Sequence, residues 1–324
     1  AFALTFLLAV QSAIYSPAKY GYIKVLAGNE LLSQANALVQ AVTIFAILAG
    51  TFAFSIIFEY YYDGLVAPTS ADILLRIAPL GWVLVANSVF ELILAYRIPE
   101  LEKPRPTLRF SWPDYFSGRA LKHNLQPLAR NRIIRLSILG LAVFWSISQV
   151  MLAAFPAFAK ETLAVTNTVV IQGTLAASGI GIIFGAILAG RWSRHYIETG
   201  IIPLGASGIA IGLFILPGIE SVAGHILNFF FIGVAGGLFI VPLNAMIQFH
   251  AADEELGTVL AGNNLIQNIA MLSFLVLTAT VAYADIETSK LLFLVAALAL
   301  LGGAYTVWSF PQSLLRFVIT YMLS

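Results

Sequence analysis

Long apolar runs, separated by short polar or Gly- and Pro-containing turns, make up most of the chain. A helix needs about 20 mostly apolar residues to cross the hydrocarbon core of a bilayer. Nine stretches meet this requirement: 1–23, 31–58, 73–96, 133–158, 167–190, 201–218, 222–249, 256–284 and 291–310. The pattern predicts an all-α membrane protein with about nine transmembrane helices.

The segment 97–132 differs from all the others, because it is polar and rich in proline and basic residues. We interpret it as a cytoplasmic central loop between two helical bundles. Residues 1–96 would then form three spans of a first bundle, and residues 133–310 would form a second bundle of six spans. Residues 311–324 contain an apolar run that is too short to span easily, so we expect an interfacial segment that leads to a possible acyltransferase domain.

The basic residues predict the orientation of the chain. Lys and Arg next to membrane spans are retained on the cytoplasmic side. If the central loop is cytoplasmic, only Arg76, Lys160 and Lys290 of the 17 basic residues fall on the opposite side. This distribution predicts that the end at Ser324 lies in the cytoplasm.

The composition excludes an ordinary soluble domain and gives no sign of catalysis. Hydrophobic residues make up 60% of the chain and charged residues 10%, whereas soluble domains are about 25% charged. The chain has no cysteine, and its histidines lack the spacing of a metal site, so we expect no metal, no cofactor and no catalytic residues. The basic loop is placed to meet anionic lipid rather than nucleic acid.

An internal repeat indicates the architecture. Pro17 is followed by Asn36 after 19 residues, and Pro242 is followed by Asn263 after 21 residues, with each Asn near the start of a span. The two copies are six predicted spans apart and therefore run in the same direction. A parallel repeat about the membrane normal relates the two halves of major facilitator transporters. The chain would then hold spans 4–12 of twelve, with three more expected upstream, although chance recurrence of Pro and Asn is the alternative.

Three motifs resemble the lysophospholipid transporter family of the major facilitator superfamily. They are Tyr-Ser-Pro-Ala-Lys-Tyr-Gly at 15–21, Gly-Gly-Leu-Phe-Ile-Val-Pro-Leu-Asn at 236–244 and Ala-Gly-Asn-Asn-Leu-Ile-Gln-Asn at 261–268. Phe144 and Trp145 are also similar. The resemblance implies a flippase that moves lysophosphatidylethanolamine and lysophosphatidylglycerol across the bacterial inner membrane by alternating access, with a fused or associated acyltransferase as partner.

Polar groups inside apolar spans are the candidates for substrate binding. The ammonium of Lys19 suits the phosphodiester of a lysophospholipid, although Lys19 could instead reach the interface as a topology anchor. Amides can bind glycerol hydroxyls and phosphate oxygens while remaining neutral, or they can hold helices together. The candidate set is Lys19, Asn36, Gln40, Gln149, Asn244, Gln248, Asn263 and Gln267.

Charged residues after the fifth predicted span are the candidates for gating. They are Arg191, Arg194 and Glu198, which lie where facilitators keep a charged motif, although Gly190 occupies the usual Asp position. Simple retention of positive charge in the cytoplasm explains the two arginines nearly as well. In the span before them, small residues recur every four positions and predict a close-packed helix surface: Gly173, Ala177, Gly181, Gly185 and Ala189.

Two other functions are compatible with these features. The chain could be a major facilitator transporter for another small solute or a drug, which a charge-lined cavity would favour. It could also be the membrane portion of a bifunctional acyltransferase. Transport of lysophospholipid by the membrane portion alone would separate the last alternative from the leading one.

Overall fold

The computed structural model describes residues 2–62, 69–99, 113, 117–165, 167–194, 196–284, 286–309, 315 and 319. Eleven α-helices occur in these ranges, and no strand does. In chain order they are α1 Phe2–Ala27, α2 Leu32–Tyr62, α3 Ser70–Ile77, α4 Pro79–Ala95, α5 Arg119–Arg130, α6 Arg132–Thr162, α7 Thr168–Trp192, α8 Ile201–Ile215, α9 Val222–His250, α10 Leu256–Tyr283 and α11 Thr288–Ser309. The expected interfacial segment 311–324 lies almost wholly outside the described residues.

Eight helical stretches of the described chain are long and apolar enough to cross a membrane: Leu32–Ile57, Leu74–Ala95, Arg132–Thr162, Val169–Trp192, Ile201–Gly218, Val222–His250, Leu256–Tyr283 and Thr288–Thr306. They correspond to the last eight of the nine predicted spans. The first predicted span is a continuous helix of 26 residues, α1, but it is not among the eight. Polar residues such as Gln11, Ser12 and Lys19 make it less apolar than the others.

The segments around the central loop contain two features that hydropathy did not indicate. The predicted span 73–96 is interrupted at Ala78, where α3 ends and Pro79 begins α4. Proline lacks a backbone N–H and restricts the residue before it, so a break is expected there. Within the polar segment 97–132, α5 forms, and its Leu128 is 4% exposed because it packs against Gly262 of α10.

The chain divides into two compact units, one of residues 1–44 with 111–324 and the other of residues 45–110. In the first unit, α7 and α8 pack against α9, α6 packs against α10, and α11 packs against α8. Helix α1 packs on α10 and α9, which places it with the later helices. The second unit consists of the remainder of α2 with α3 and α4.

Helices α7 and α9 approach each other to backbone contact. A Cβ atom at Gly181 or Gly185 would collide with the α9 backbone around Val234, and one at Gly233 would collide with the α7 backbone. Small residues allow this approach, which drives helix association in lipid through van der Waals packing. The predicted close-packed surface is therefore confirmed at Gly181 and Gly185, whereas Gly173 has open space around it.

Candidate functional site

Two of the predicted amides, one from each half of the sequence repeat, bind each other. Asn36 Nδ2 donates to Gln248 Oε1 at 3.1 Å, and Gln248 Nε2 donates to Asn36 Oδ1 at 2.9 Å. Asn36 Nδ2 also donates to the carbonyl of Leu32 at 2.8 Å. The two side chains are 2% and 0% exposed, so this reciprocal pair joins α2 to α9 away from water and lipid.

A lysine at the end of α1 makes a second connection to α9. Lys24 Nζ donates to the carbonyl oxygen of Ala251 at 2.8 Å and lies 2.9 Å from the carboxylate of Asp253. Ala251 is the C-cap of α9, where a cation interacts favourably with the helix dipole. The Lys24 side chain is 10% exposed and that of Asp253 is 81% exposed, so the carbonyl contact is the more protected of the two.

The start of α2 lies on the end of α7. Gln34 Nε2 donates to the backbone carbonyl of Arg194 at 2.9 Å. A Cβ atom at Gly190 would come within 2.8 Å of the Cβ atom of Ala37, so only glycine allows α2 this close. We call these three connections, made by Lys24, Gln34, Asn36 and Ala37 with α7 and α9, the closed end. It lies at the end of the bundle that the basic residues predict to be cytoplasmic.

Lys19 lies farther into α1 than the closed end. It precedes Lys24 by five residues, which is about 7.5 Å along a helix. The lysine is half-buried, and its Nζ atom lies 4.9 Å from the ring centroid of Tyr20. A cation over an aromatic ring is attracted by the ring quadrupole, so Tyr20 holds the ammonium in place without neutralising its charge.

Three further predicted amides bind within their own helices. Asn263 is 8% exposed, and its Oδ1 atom accepts a hydrogen bond from Gln267 Nε2 at 2.7 Å. Asn244 is half-buried and donates through Nδ2 to the carbonyl of Ile240 at 3.0 Å. Bonds of this kind can be exchanged for bonds to a ligand without separating two helices.

The two remaining predicted substrate residues lie on different helices. Gln40 of α2 is 6% exposed and lies one helical turn beyond Asn36. Gln149 of α6 is half-buried. The structure therefore brings together two pairs of the predicted set, Asn36 with Gln248 and Asn263 with Gln267, and places the others separately on α1, α2, α6 and α9.

The predicted gating residues have unequal surroundings. The side chains of Arg191 and Arg194 are exposed. Glu198 is fully buried; its Oε1 atom accepts from the backbone N–H of Gly200 at 3.0 Å, and its own N–H donates to Ser193 Oγ at 3.2 Å. Glu198 thus shapes the turn between α7 and α8, which the closed end contacts through the carbonyl of Arg194.

Sequence reasoning missed Lys24, Gln34 and Asp253 as residues of the site. A basic residue in the last turn of one span and an acidic turn after another were both visible in the sequence. Their pairing was not visible, because 227 residues separate Lys24 from Ala251. In the part of the chain that the structure describes, no cluster of three or more His, Asp or Glu residues could hold a metal ion.

Comparison with known proteins agrees with this helical arrangement. A family model described as Major Facilitator Superfamily matches residues 1–275. The chain is also similar to a solved structure of the major facilitator proton:xylose symporter XylE bound to 6-bromo-6-deoxy-D-glucose. That similarity has a TM-score of 0.57 at 15% identity and covers 92% of this chain and 67% of the symporter. At this identity the likeness concerns the fold alone.

Sequence relatives are more specific. The chain is 31% identical over 274 residues to proteins named lysophospholipid transporter LplT from Escherichia coli O1:K1, O45:K1 strain S88 and O139:H28 strain E24377A. Each alignment covers 83% of this chain and 64% of the relative. The chain thus spans less than two thirds of the length of these relatives.

Proposed function

The chain belongs to the major facilitator superfamily, and on that premise we propose that it transports lysophospholipids across the bacterial inner membrane. The observation that carries the proposal is the 31% identity over 83% of the chain to lysophospholipid transporters. Lysophosphatidylethanolamine and lysophosphatidylglycerol are the proposed substrates. The alternative, a major facilitator transporter for another small solute, shares the same fold and predicts transport without lysophospholipid.

The polar groups of the first unit suit this substrate class. A lysophospholipid has one phosphodiester, free hydroxyls and a single acyl chain. Lys19 offers a positive charge that a phosphodiester can share, while Asn244 and Asn263 offer amides that both donate and accept. Because such polar groups are few within otherwise apolar helices, they favour an amphipathic substrate over a strongly hydrated solute.

The closed end supports alternating access, in which a transporter opens to one side of the membrane at a time. The ion pair of Lys24 with Asp253 is open to solvent on the Asp253 side, and solvent-exposed pairs contribute about 0.2–1 kcal/mol. Side-chain hydrogen bonds between membrane helices contribute about 0.6 kcal/mol each. Since the ion pair and the amide pair together amount to only a few such interactions, a substrate needs to bind the open form only a few kcal/mol more tightly than the closed form to open this end.

The proposal is tested by uptake of labelled lysophosphatidylethanolamine into spheroplasts that express the intact protein. We expect Lys19→Ala to lower uptake by about tenfold or more, because a hydrogen bond to a charged group is worth about 1.5–3 kcal/mol. Lys19→Arg should retain much of the uptake, and Asn244→Ala should lower it severalfold. Lys160→Ala is the matched control. Lys160 is an exposed lysine in the last turn of α6, on the side of the membrane that the basic residues predict to be opposite the closed end.

Two results would count against the proposal. Unchanged uptake in both Lys19→Ala and Asn244→Ala, at equal expression, would remove these residues from the substrate site. Failure of the intact protein to take up any lysophospholipid, with transport of a soluble solute instead, would favour the alternative function. Dependence on an acyltransferase partner is a separate question. Uptake that persists in cells that cannot acylate lysophospholipid would show that transport does not require acylation.

A further inference from the structure

A cavity of about 250 Å³ lies inside the first unit, between α6, α8, α9 and α11. Hydroxyl groups among its lining residues come only from Ser137, Tyr305 and Thr306, and the Thr306 hydroxyl donates to the carbonyl of Gly302 at 2.6 Å. The other lining residues are aliphatic, aromatic, Met or Gly. None of the candidate substrate residues is among the lining residues, so this cavity is separate from those polar groups.

The cavity is flanked by side chains on the outer surface of the helices. Leu139, Val143 and Tyr305 line it and are 50%, 39% and 46% exposed. In a membrane that surface meets the bilayer. Water does not fill an apolar cavity of this kind, and an engineered apolar cavity of about 150 Å³ binds benzene. An empty cavity would forfeit dispersion contacts along its lining, so a hydrocarbon chain from the bilayer is the occupant that fits.

A positive charge lies at the end of the cavity nearest the central loop. Arg132 is the first residue of α6 and is exposed, one helical turn before Leu136, which lines the cavity. Residues 132, 136, 139 and 143 follow the spacing that places side chains on one side of a helix. A guanidinium can bind a phosphate group through two hydrogen bonds, and the partial positive charge of the α6 N-terminus adds to the attraction.

We propose that this cavity and Arg132 form a binding site for a glycerophospholipid of the surrounding bilayer. One acyl chain enters the cavity between α6 and α11, and the phosphate binds Arg132 at the start of α6. The lipid is a diacyl bilayer lipid rather than the transported substrate, because none of the candidate substrate residues on α1, α2, α6, α9 and α10 lines the cavity. The inference does not depend on the proposed function.

Gly302 offers a way to fill the cavity. A Cβ atom at Gly302 meets nothing within 4 Å, so a large side chain there extends into the cavity without displacing the backbone. Gly140 on the opposite wall is less suitable, because its Cβ atom would lie 3.1 Å from Leu243 and 3.2 Å from Phe239. Gly173 is the matched control, since it is an exposed helical glycine of α7 with equal space and no part in the cavity.

The probe is a diacyl phosphatidylglycerol with a photoreactive diazirine near the end of one acyl chain. The intact protein is reconstituted into phosphatidylethanolamine and phosphatidylglycerol vesicles that contain this probe, and after illumination the labelled peptides are identified by mass spectrometry. We expect the label on the cavity-lining segments of α6 and α11, and we expect Gly302→Phe to lower it at least fivefold. Gly173→Phe should leave the label unchanged.

The phosphate contact is tested in the same vesicles. Arg132→Gln should lower labelling about threefold at a low mole fraction of probe, and Lys160→Gln should not. Labelling of α6 and α11 no stronger than that of other lipid-facing helices would overturn the proposal. Labelling by a lysophosphatidylglycerol diazirine alone would overturn the choice of a bilayer lipid.

A second variant covers the case in which Gly302→Phe fails to fold. Leu139→Trp narrows the cavity from its exposed rim, so it should also lower the photolabelling of α6 and α11, as Gly302→Phe does. Undiminished labelling in a folded variant of either kind contradicts the site. Because no transport is measured, failure of the proposed function would leave this result unaffected.

Discussion

Asn36 on α2 and Gln248 on α9 form a closed amide pair, in which each side chain donates one hydrogen bond to the other. Both are buried and 212 residues apart in the chain. Because the pair lies between the two halves of the predicted repeat, it connects parts of the molecule that must separate if this end opens. The chain contains no cysteine, so a single introduced thiol can report that opening.

Ser33→Cys places such a reporter at the closed end, since Ser33 is 1% exposed and similar in size to cysteine. With this reporter, Asn36→Leu or Gln248→Leu should speed labelling by a membrane-impermeant maleimide, because each leaves one buried amide without its partner. The double variant, with both Asn36→Leu and Gln248→Leu, should label more slowly than it would if the two single increases in labelling rate simply multiplied. Purely additive effects in this double-mutant cycle would show that the pair does not hold the end closed.

Lys24 and Asp253 should contribute unequally to the stability of the closed end. Lys24→Ala loses both the carbonyl contact at the α9 C-cap and the ion pair, whereas Asp253→Ala leaves the carbonyl contact in place. We expect the labelling rate of Ser33→Cys to rise more for Lys24→Ala. The part of the Asp253→Ala effect that comes from the lost ion pair should correspond to about 0.2–1 kcal/mol and fade in high salt. A larger effect for Asp253→Ala would reverse this ranking.

Gly190 should be required for closure. Its Cβ atom would lie 2.8 Å from the Cβ atom of Ala37, so Gly190→Val pushes the start of α2 away from α7. We expect faster labelling of Ser33→Cys in this variant while the protein stays folded. Gly257→Val is the control, because a side chain at Gly257 meets nothing within 4 Å. Equal labelling rates in the two variants would mean that α2 does not depend on this contact.

The backbone contact between α7 and α9 should be the least tolerant packing contact of the first unit. Gly185→Ala places a methyl group against the Val234 backbone, and overpacking of this kind costs about 1–3 kcal/mol. Gly173→Ala adds a methyl group in open space and improves helix propensity by up to about 1 kcal/mol. Thermal unfolding in detergent should therefore show a lower midpoint for Gly185→Ala only. A midpoint unchanged by Gly185→Ala would contradict the close packing.

The amino-acid sequence by itself determined most of the long helical segments and that the chain is a membrane protein, whereas it did not indicate α5 or the break at Ala78. Stretches such as Val222–His250 are long and apolar enough that this property can be read from contiguous residues. The spacing of Gly181 and Gly185 likewise predicted their close contact with a neighbouring helix, because residues four apart lie on one side of a helix. The motif at 15–21 carried the family resemblance without any structure.

Only the tertiary structure decided which polar groups meet. Asn36 was a candidate because it is an amide in an apolar helix, but neither its partner Gln248 nor the contact between Lys24 and Ala251 follows from spacing. In lipid, the outer surface of a helix is as apolar as its packed surface, so hydropathy does not reveal which side faces another helix. The pairing of residues over more than 200 positions, and the cavity between α6, α8, α9 and α11, exist only once those helices have packed together.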